Sequence, residues 1–448
     1  MDDSPPLRKL ATIGGAALVG VFVLAFLLQL PLALAPGYYS HDELQWAWRA
    51  GTVDLLPWWD DRTTFQFRPL TFNLWLVLSR AFFDTPWAFH SVVVAWGSLH
   101  AALLCAVGRR FGMAWGPAVL GALAFVLTPY AMFTHGWVAT LADLIWVSCA
   151  LVLAWCVLRF ERPLLLGVLA FVLALAGMFA KEAAVAIPLL CAVAWACDPA
   201  RRARWLAALV GAGGAVALFL AWRMPALLHA PRDGGDWYVP SLAHVPARWL
   251  EYQAFLPMLT AMEVHTTWHE GLVKCIVVAL LWLALVIALW TTRRRLAALF
   301  LTGGLAALAP VLLLGRSANH YAYAFAAVAA MCVAAAWPHA TRRARIAIAT
   351  FAVLTSLHGI ALMLEMHYVA QVQSVFSPAL ARVLVAHPSG TVVLRPAPDA
   401  KPWIFQRLTH QIPAYDGVPI GDRVALAPKG QPADYEIAAD GSLRPLAR

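Results

Sequence analysis

Charged residues are scarce in this chain. Asp, Glu, Lys and Arg make up 13% of its 448 residues, whereas 62% are hydrophobic. Soluble domains are typically about 25% charged, because polar side chains must cover their surface. The composition therefore excludes a soluble enzyme of this length and predicts that most of the chain is surrounded by lipid.

Cysteine is absent from the polar segments. All seven cysteines lie in hydrophobic runs that we predict to be helices. A disulfide framework needs cysteines in exposed segments of an oxidising compartment, so no such framework is predicted. The chain also lacks an internal repeat of about 20–50 residues, which excludes a solenoid or propeller.

Long hydrophobic runs, in contrast, recur along the chain. A helix of about 20 apolar residues crosses the ~30 Å hydrocarbon core of a bilayer. We therefore predict an all-α polytopic membrane protein with about eleven spans, although the run at 184–197 is short for a span. The predicted spans are 10–35, 87–108, 112–131, 138–158, 164–180, 184–197, 205–228, 272–292, 296–314, 321–338 and 346–366.

Basic residues group at alternate ends of these spans. Lys and Arg near the ends of spans are retained in the cytoplasm, which predicts a cytoplasmic N-terminus and a periplasmic C-terminus in a bacterial inner membrane. The net charge of +9 is accounted for by these groups and by contact with anionic lipids, so we expect no nucleic-acid partner. The groups are Arg8 with Lys9, Arg109 with Arg110, Arg159 with Arg162, 201–204, 293–295 and 342–345.

Two parts are predicted. Residues 1–384 form a transmembrane domain with large exterior loops at 36–85 and 229–270, and 385–448 form a small periplasmic segment that is mixed α/β or irregular. Aromatic and apolar spacing predicts short juxtamembrane helices at 43–49 and 69–83 of the first loop. A strand at 391–394 and a turn at 415–417 are predicted in the C-terminal segment.

The sequence Ser40-His41-Asp42-Glu43 directly follows the first predicted span. A carboxylate at this place can accept the proton of an attacking hydroxyl within hydrogen-bond reach, which makes Asp42 a candidate catalytic base. Glu43 would orient the acceptor or help to hold a metal, and His41 would support the site. The structural alternative is that Asp42 caps a short helix and Glu43 favours the helix dipole. The two roles are compatible.

Cations at the predicted exterior rim are candidate ligands of a lipid phosphate. Arg68 and Arg316 offer a bidentate fork and Lys181 a point charge to phosphate oxygens, and all three would stabilise a departing phosphate. His320 and Tyr321 follow Arg316 and would support this site. The structural alternative is a side chain that extends along the membrane to reach water.

Further ionisable residues lie within or between predicted spans. Such residues are costly in lipid unless they are paired, and they mark function by default. Asp143 lies inside a span, and His135 just before it is either its partner or a turn residue. Lys181 and Glu182 lie between two apolar helices, and a structural ion pair between these neighbours is the alternative to a functional role.

His265 and His269 would share one face of an α-helix, with Glu263 and Glu270 on either side. This spacing can hold zinc, but the glutamate of the zincin motif between the histidines is missing. An interfacial histidine pair is therefore the preferred interpretation. We assign no metal site, although a divalent cation is an open alternative.

Several segments, in the same order, resemble the polytopic GT-C glycosyltransferases. The likeness covers about residues 1–330 and is closest to the membrane part of the tetratricopeptide-bearing or dolichyl-phosphate-mannose protein O-mannosyltransferases and their bacterial relatives. The segments are Asp42-Glu43, Phe67-Arg68-Pro69-Leu70, Phe89-His90, Leu127-Thr128-Pro129, Ala142-Asp143-Leu144, Lys181-Glu182-Ala183 with Pro188, and Tyr321-Ala322-Tyr323.

The resemblance implies transfer of a sugar from a polyprenyl-phosphate donor, with inversion of configuration. It places Asp42 at the catalytic acidic position, makes Arg68 and Lys181 candidates for the donor phosphate, and puts Tyr321 at the exterior end of a later helix. The chain departs from the family at His320, where a basic residue is expected, and no tetratricopeptide repeats follow. The acceptor is therefore left open among protein, glycan and lipid.

Other functions use the same residues differently. A lipid-linked sugar flippase or transporter would use buried charges as a pathway, and it predicts broken helices in matching halves of the chain. An O-antigen polymerase or ligase would rely on exterior arginines and a histidine, so that Asp42 would matter less. A non-enzymatic scaffold is the third alternative.

Overall fold

The computed structural model describes residues 5–58, 66–229, 235–428 and 430–446. The large loops predicted at 36–85 and 229–270 include 59–65 and 230–234, which lie outside this part. The α-helices are α1 (Pro5–Leu27), α2 (Leu30–Ala33), α3 (His41–Thr52), α4 (Pro69–Phe82), α5 (Pro86–Arg110), α6 (Trp115–Val126), α7 (Pro129–Gly136), α8 (Leu141–Arg159), α9 (Pro163–Ala180), α10 (Ala186–Cys197), α11 (Arg202–His229), α12 (Val245–Phe255), α13 (Leu272–Thr292), α14 (Arg294–Ala298), α15 (Gly304–Leu312), α16 (Tyr323–Ala336), α17 (Arg342–Ala386) and α18 (Pro402–Thr409).

The chain is a multi-pass membrane protein. Eight helices in the described residues are long and apolar enough to cross a bilayer, or nine if α6 and α7, bent by 57° at Leu127 and Thr128, form one span. The remaining two predicted spans correspond to shorter apolar helices, Gly14–Leu27 and Glu182–Cys197. The expected total of eleven is therefore not confirmed, because a helix of this length alone does not bridge the hydrocarbon core.

Three of the loops that carry the predicted arginine groups meet at one end of the helix bundle. Arg201 Nη2 donates to Arg110 O over 3.5 Å, and Arg204 forms an ion pair of 2.9 Å with Glu161. The opposite end carries α3 and is called the Asp42 end below. Both short helices predicted in the first loop are present there, as α3 and α4.

Packing of aromatic rings holds α3 against α4. Trp46 stacks on Phe72 and Trp75, with ring centroids 4.8 and 4.7 Å apart. Arg80 Nε donates to Ala50 O over 2.9 Å and satisfies a carbonyl in the last turns of α3. These contacts give the residues at the start of α3 a rigid support.

The last long helix does not stop where the hydrophobic run ends. The span predicted at 346–366 is part of α17, which continues through Pro378 to Ala386. The strands that follow are β1 (Val392–Pro396), β2 (Ala414–Tyr415), β3 (Val418–Pro419), β4 (Val424–Leu426), β5 (Tyr435–Ile437) and β6 (Leu443–Pro445). They form a four-stranded sheet of order β4-β1-β5-β6 and the hairpin β2-β3.

The hairpin turn has the backbone that its sequence requires. Asp416 and Gly417 have φ of 48° and 72°, which Asp tolerates and Gly adopts freely. In the sheet, β1 pairs in parallel with β4 and β5, and β6 pairs with β5 in antiparallel orientation. The predicted strand and turn are thus both present.

Both α17 and the C-terminal segment pack onto the first loop. Tyr38 N donates to Gln373 Oε1 of α17 over 2.8 Å, and Gln45 Nε2 donates to Gln411 O over 2.8 Å. The ring centroids of His41 and His410 lie 5.7 Å apart. The segment therefore forms part of the surroundings of Asp42.

Candidate functional site

The carboxylates of Asp42 and Glu43 have different surroundings. Ser40, and not Asp42, is the N-cap of α3, and its N–H donates to Glu43 Oε2 over 2.9 Å in a capping box. The predicted capping role of Asp42 is therefore wrong, because Asp42 occupies the second position of the helix. Its side chain is 33% exposed and lies 3.5 Å from the His41 ring nitrogen.

Burial changes the acidity of this pair. It raises the pKa of Glu43 to about 8, and the neighbouring charge of Asp42 adds to the shift. Burial also raises the pKa of Asp42, against the attraction of His41 and Arg407. Because the two carboxyls repel each other when both are ionised, the partly exposed Asp42 ionises before the buried Glu43, which holds a proton near neutral pH.

A cluster of charged residues from distant segments lies beside this pair. Arg407 of α18 forms an ion pair of 3.0 Å with Glu263, and its guanidinium lies over the ring of Tyr39 at 4.4 Å. Arg316 lies 3.6 Å from the other oxygen of Glu263 and 3.8 Å from the ring centroid of Trp237. Glu263 therefore joins the first loop, the C-terminal segment and the loop before α16.

The other two predicted phosphate ligands are also paired with carboxylates. Arg68 donates through Nε and Nη2 to Glu182 Oε2 over 2.9 and 2.6 Å. Lys181 Nζ donates to both oxygens of Asp143 over 2.8 and 2.6 Å. The side chain of Arg68 is 19% exposed and that of Lys181 only 6%.

An ion pair between the neighbours Lys181 and Glu182 is thus not formed. Lys181 has extended backbone angles, φ −162° and ψ 141°. Successive side chains of an extended chain point in opposite directions. The two residues therefore reach different partners, one inside the bundle and one at its rim.

Aromatic side chains connect the carboxylate pair to these cations. Trp137 lies 6.1 Å from Tyr39 and 5.3 Å from His320, measured between ring centroids. His320 contacts the ring of Tyr321 at 4.4 Å, and Lys181 Nζ lies 4.6 Å from the centroid of that ring. His320 and Tyr321 thus lie between the two groups of charges.

His135 lies elsewhere, in a buried hydrogen-bond network. Its Nε2 is hydrogen-bonded to the hydroxyl of Tyr323 over 2.7 Å, and its Nδ1 to the side chain of Gln29. The same hydroxyl lies 2.9 Å from His100 Nδ1. His135 is fully buried and does not pair with Asp143, so this network has a packing role.

Two cavities lie at the Asp42 end. The larger has a volume of about 770 Å³ and the smaller about 380 Å³. His265 and Arg316 line both, and they separate one cavity from the other. Tyr39, three residues before Asp42, lines the smaller cavity together with Glu263.

The segment with His265 and His269 differs from its predicted conformation. Residues Val264–Glu270 form a 3₁₀ helix, in which positions three apart share a face, so the expected common α-helical face is absent. In the described residues no three His, Cys, Asp or Glu side chains are grouped as metal ligands.

Sequence reasoning missed Arg407 and gave Trp137 no role. Arg407 follows the first loop by more than 300 residues, and no local pattern distinguishes it from other surface arginines. The signal available was its position among apolar residues of an amphipathic helix in the C-terminal segment, where an arginine needs a partner. Glu263 was noted only as a neighbour of His265.

The pair of Lys181 and Asp143 provides a test of its role. Replacing Lys181 with Met leaves the buried Asp143 carboxylate without an opposite charge, and loss of one member of a buried ion pair typically destabilises a protein by about 3–5 kcal/mol. We expect Lys181→Met to lower the melting temperature in detergent strongly, and Lys181→Met combined with Asp143→Leu to recover most of the loss. A double variant as unstable as the single one would contradict this account.

Arg407 is expected to hold the first loop in place. Hydrogen bonds to charged groups contribute about 1.5–3 kcal/mol, so Arg407→Ala should increase hydrogen exchange in peptides covering 38–46 and 262–270 by about tenfold. Arg395→Ala is the matched control, because Arg395 pairs with Glu436 in the sheet, at 3.2 Å. Equal exchange of those peptides in both variants would show that Arg407 does not bridge them.

Comparison with known proteins identifies no relative. No protein-family model, no curated protein and no solved structure matches this chain.

Proposed function

We propose that this protein is an inverting glycosyltransferase of the GT-C type. It transfers a sugar from a polyprenyl-phosphate donor to an acceptor hydroxyl at the periplasmic face of a bacterial inner membrane. In this proposal the short apolar helices complete eleven spans, and the arginine loops lie in the cytoplasm. Nucleotide sugars are confined to the cytoplasm, so an enzyme that acts outside it needs a donor delivered through the membrane.

The observation that carries the proposal is the partly exposed Asp42 carboxylate beside a buried, proton-holding Glu43. Asp42 is the less buried carboxylate of the pair and ionises first, so it is the one suited to accept a proton as a general base. The resemblance in sequence assigns the catalytic role to the same residue. The cavity beside Tyr39 gives an acceptor access to the loop that carries it.

The accessible cations are suited to the donor phosphate. Arg68 and Arg316 each pair with a partly exposed carboxylate at the rim, Glu182 and Glu263. A phosphate can take the place of such a carboxylate on a guanidinium, because both are oxyanions that accept bidentate hydrogen bonds. Lys181 is buried on Asp143, so we assign it a supporting role behind Tyr321.

The reaction is a single displacement. Asp42 accepts the proton of the acceptor hydroxyl as its oxygen forms a bond to the anomeric carbon. The bond from that carbon to the phosphate oxygen breaks, and the electron pair leaves with the polyprenyl phosphate. Arg68 and Arg316 stabilise the charge that develops on the leaving group.

The transporter alternative has less support. It predicts matching broken helices in two halves of the chain, whereas the described residues contain a single bent pair of this kind, α6 with α7. The buried charges Lys181 and Asp143 are bound to each other instead of facing a water-filled path.

Asp42→Asn tests the proposal. With purified protein in nanodiscs and a panel of polyprenyl-phosphate sugars, we expect the variant to transfer sugar about 10²–10⁴-fold more slowly than the wild type. The wild-type rate should rise with pH through the raised pKa of Asp42, because only the ionised carboxylate accepts a proton.

The control is Asp54→Asn, which removes an exposed carboxylate from the same loop and should leave transfer unchanged. Undiminished transfer by a folded Asp42→Asn variant would remove Asp42 from the mechanism. Absence of transfer with every donor, accompanied by movement of the lipid across the bilayer, would support a flippase.

A further inference from the structure

Apart from Arg316, the residues that line the larger cavity have no role in the reaction proposed above. The cavity is formed by three segments of the Asp42 end, 237–251, 265–269 and 315–316. Its volume of about 770 Å³ falls in the usual range for pockets that hold a small molecule of several rings. It adjoins the smaller cavity, which reaches Tyr39.

Two indole rings line this cavity. Trp237 and Trp268 are 48% and 43% exposed. Tryptophans of the membrane interface normally stand among lipid headgroups, but these two share a cavity with the charged side chains of Arg248 and Glu251. One face of the Trp237 ring is covered by Arg316, whereas no cation is placed over Trp268 among the described contacts, so Trp268 offers an open aromatic surface.

Two charges of the lining offset each other, because Arg248 Nη1 lies 2.6 Å from Glu251 Oε2. Arg316 shares Glu263 with Arg407. Burial lowers the pKa of His265, which favours its neutral form. An anionic ligand of Arg248 would have to displace the buried Glu251, whereas an uncharged ligand leaves this pair intact, so this part of the lining is suited to an uncharged ligand.

The lining also presents donors and acceptors together. Arg248 is a donor, Glu251 is an acceptor, and the Ser241 hydroxyl is both. A sugar hydroxyl donates one hydrogen bond and accepts others, so it uses both kinds of partner. The C–H groups on one face of a pyranose ring pack on an aromatic surface such as that of Trp268.

From these features we propose that the larger cavity binds a neutral oligosaccharide and that this oligosaccharide carries the acceptor hydroxyl. The acceptor role rests on the proposed glycosyltransferase function, whereas the binding site does not. The two cavities adjoin at His265 and Arg316, which line both. At this point one end of the saccharide would extend into the smaller cavity and reach the loop of Asp42.

The test is binding without a donor. Full-length protein in nanodiscs would be examined by saturation-transfer difference NMR with four neutral tetrasaccharides, built from glucose, mannose, galactose or N-acetylglucosamine. At least one should bind to wild type, and Trp268→Ala should weaken that binding about tenfold, because an aromatic contact contributes about 1 kcal/mol or more.

Matched variants separate loss of the site from loss of the fold. Trp268→Phe keeps an aromatic surface and should retain most of the binding. Trp290→Ala removes an indole of similar exposure from the opposite end of α13 and should bind as wild type.

Several outcomes would overturn the proposal. One is that none of the four saccharides binds to the wild-type protein. Another is that Trp268→Ala binds a saccharide as strongly as the wild type does. A third is that glucose 6-phosphate binds while no neutral glycan does. Binding that depends on Trp268 in a protein without transfer activity would refute the glycosyltransferase but not the saccharide site. Transfer activity in a protein that binds none of the saccharides would refute the saccharide site but not the glycosyltransferase.

Discussion

Charge pairing next to the bilayer is the constraint on which this structure depends. An isolated cation or carboxylate in such surroundings is costly, and it is tolerated when an opposite charge and hydrogen bonds replace water. At the Asp42 end Lys181 is bound to Asp143, and Arg68 to Glu182. Lys181 and Asp143 join neighbouring helices, whereas Arg68 and Glu182 are 114 residues apart, so the pairs that satisfy the charges also position the helix ends.

Glu263 forms charge pairs of the same kind at the periphery of the bundle. Its two oxygens face Arg407 and Arg316, and this links the C-terminal segment to the loop before α16. Tyr39 lies under the Arg407 guanidinium. The start of α3 is consequently held between the membrane helices and the C-terminal segment.

The sequence was informative where local pattern determines structure. Hydrophobic length predicted most of the spans, amphipathic spacing predicted α3 and α4, and Asp416-Gly417 predicted a tight turn. Opposite charges between apolar runs also indicated that Lys181 and Glu182 need partners. Identification of those partners failed, because Arg68 and Glu182 are 114 residues apart and contact at such separation depends on the packing of whole helices.

Two further differences have physical explanations. The cap of α3 is Ser40 and not Asp42, because the helix begins two residues earlier than predicted. Such a shift changes which side chain lies next to the free N–H groups of the first turn. Val264–Glu270 forms a 3₁₀ helix where an α-helix was assumed, and its short length permits either. Arg407 could not be found from pattern, because it and Glu263 are 144 residues apart.

The central claim is that Asp42 activates an acceptor hydroxyl for one direct displacement at the anomeric carbon. The most direct test is the configuration of that carbon in the product, determined by NMR after transfer from a donor of known anomeric configuration. The account predicts complete inversion, because a single displacement exchanges the two faces of the sugar. Retention would contradict it, since retention requires a second displacement through a covalent intermediate.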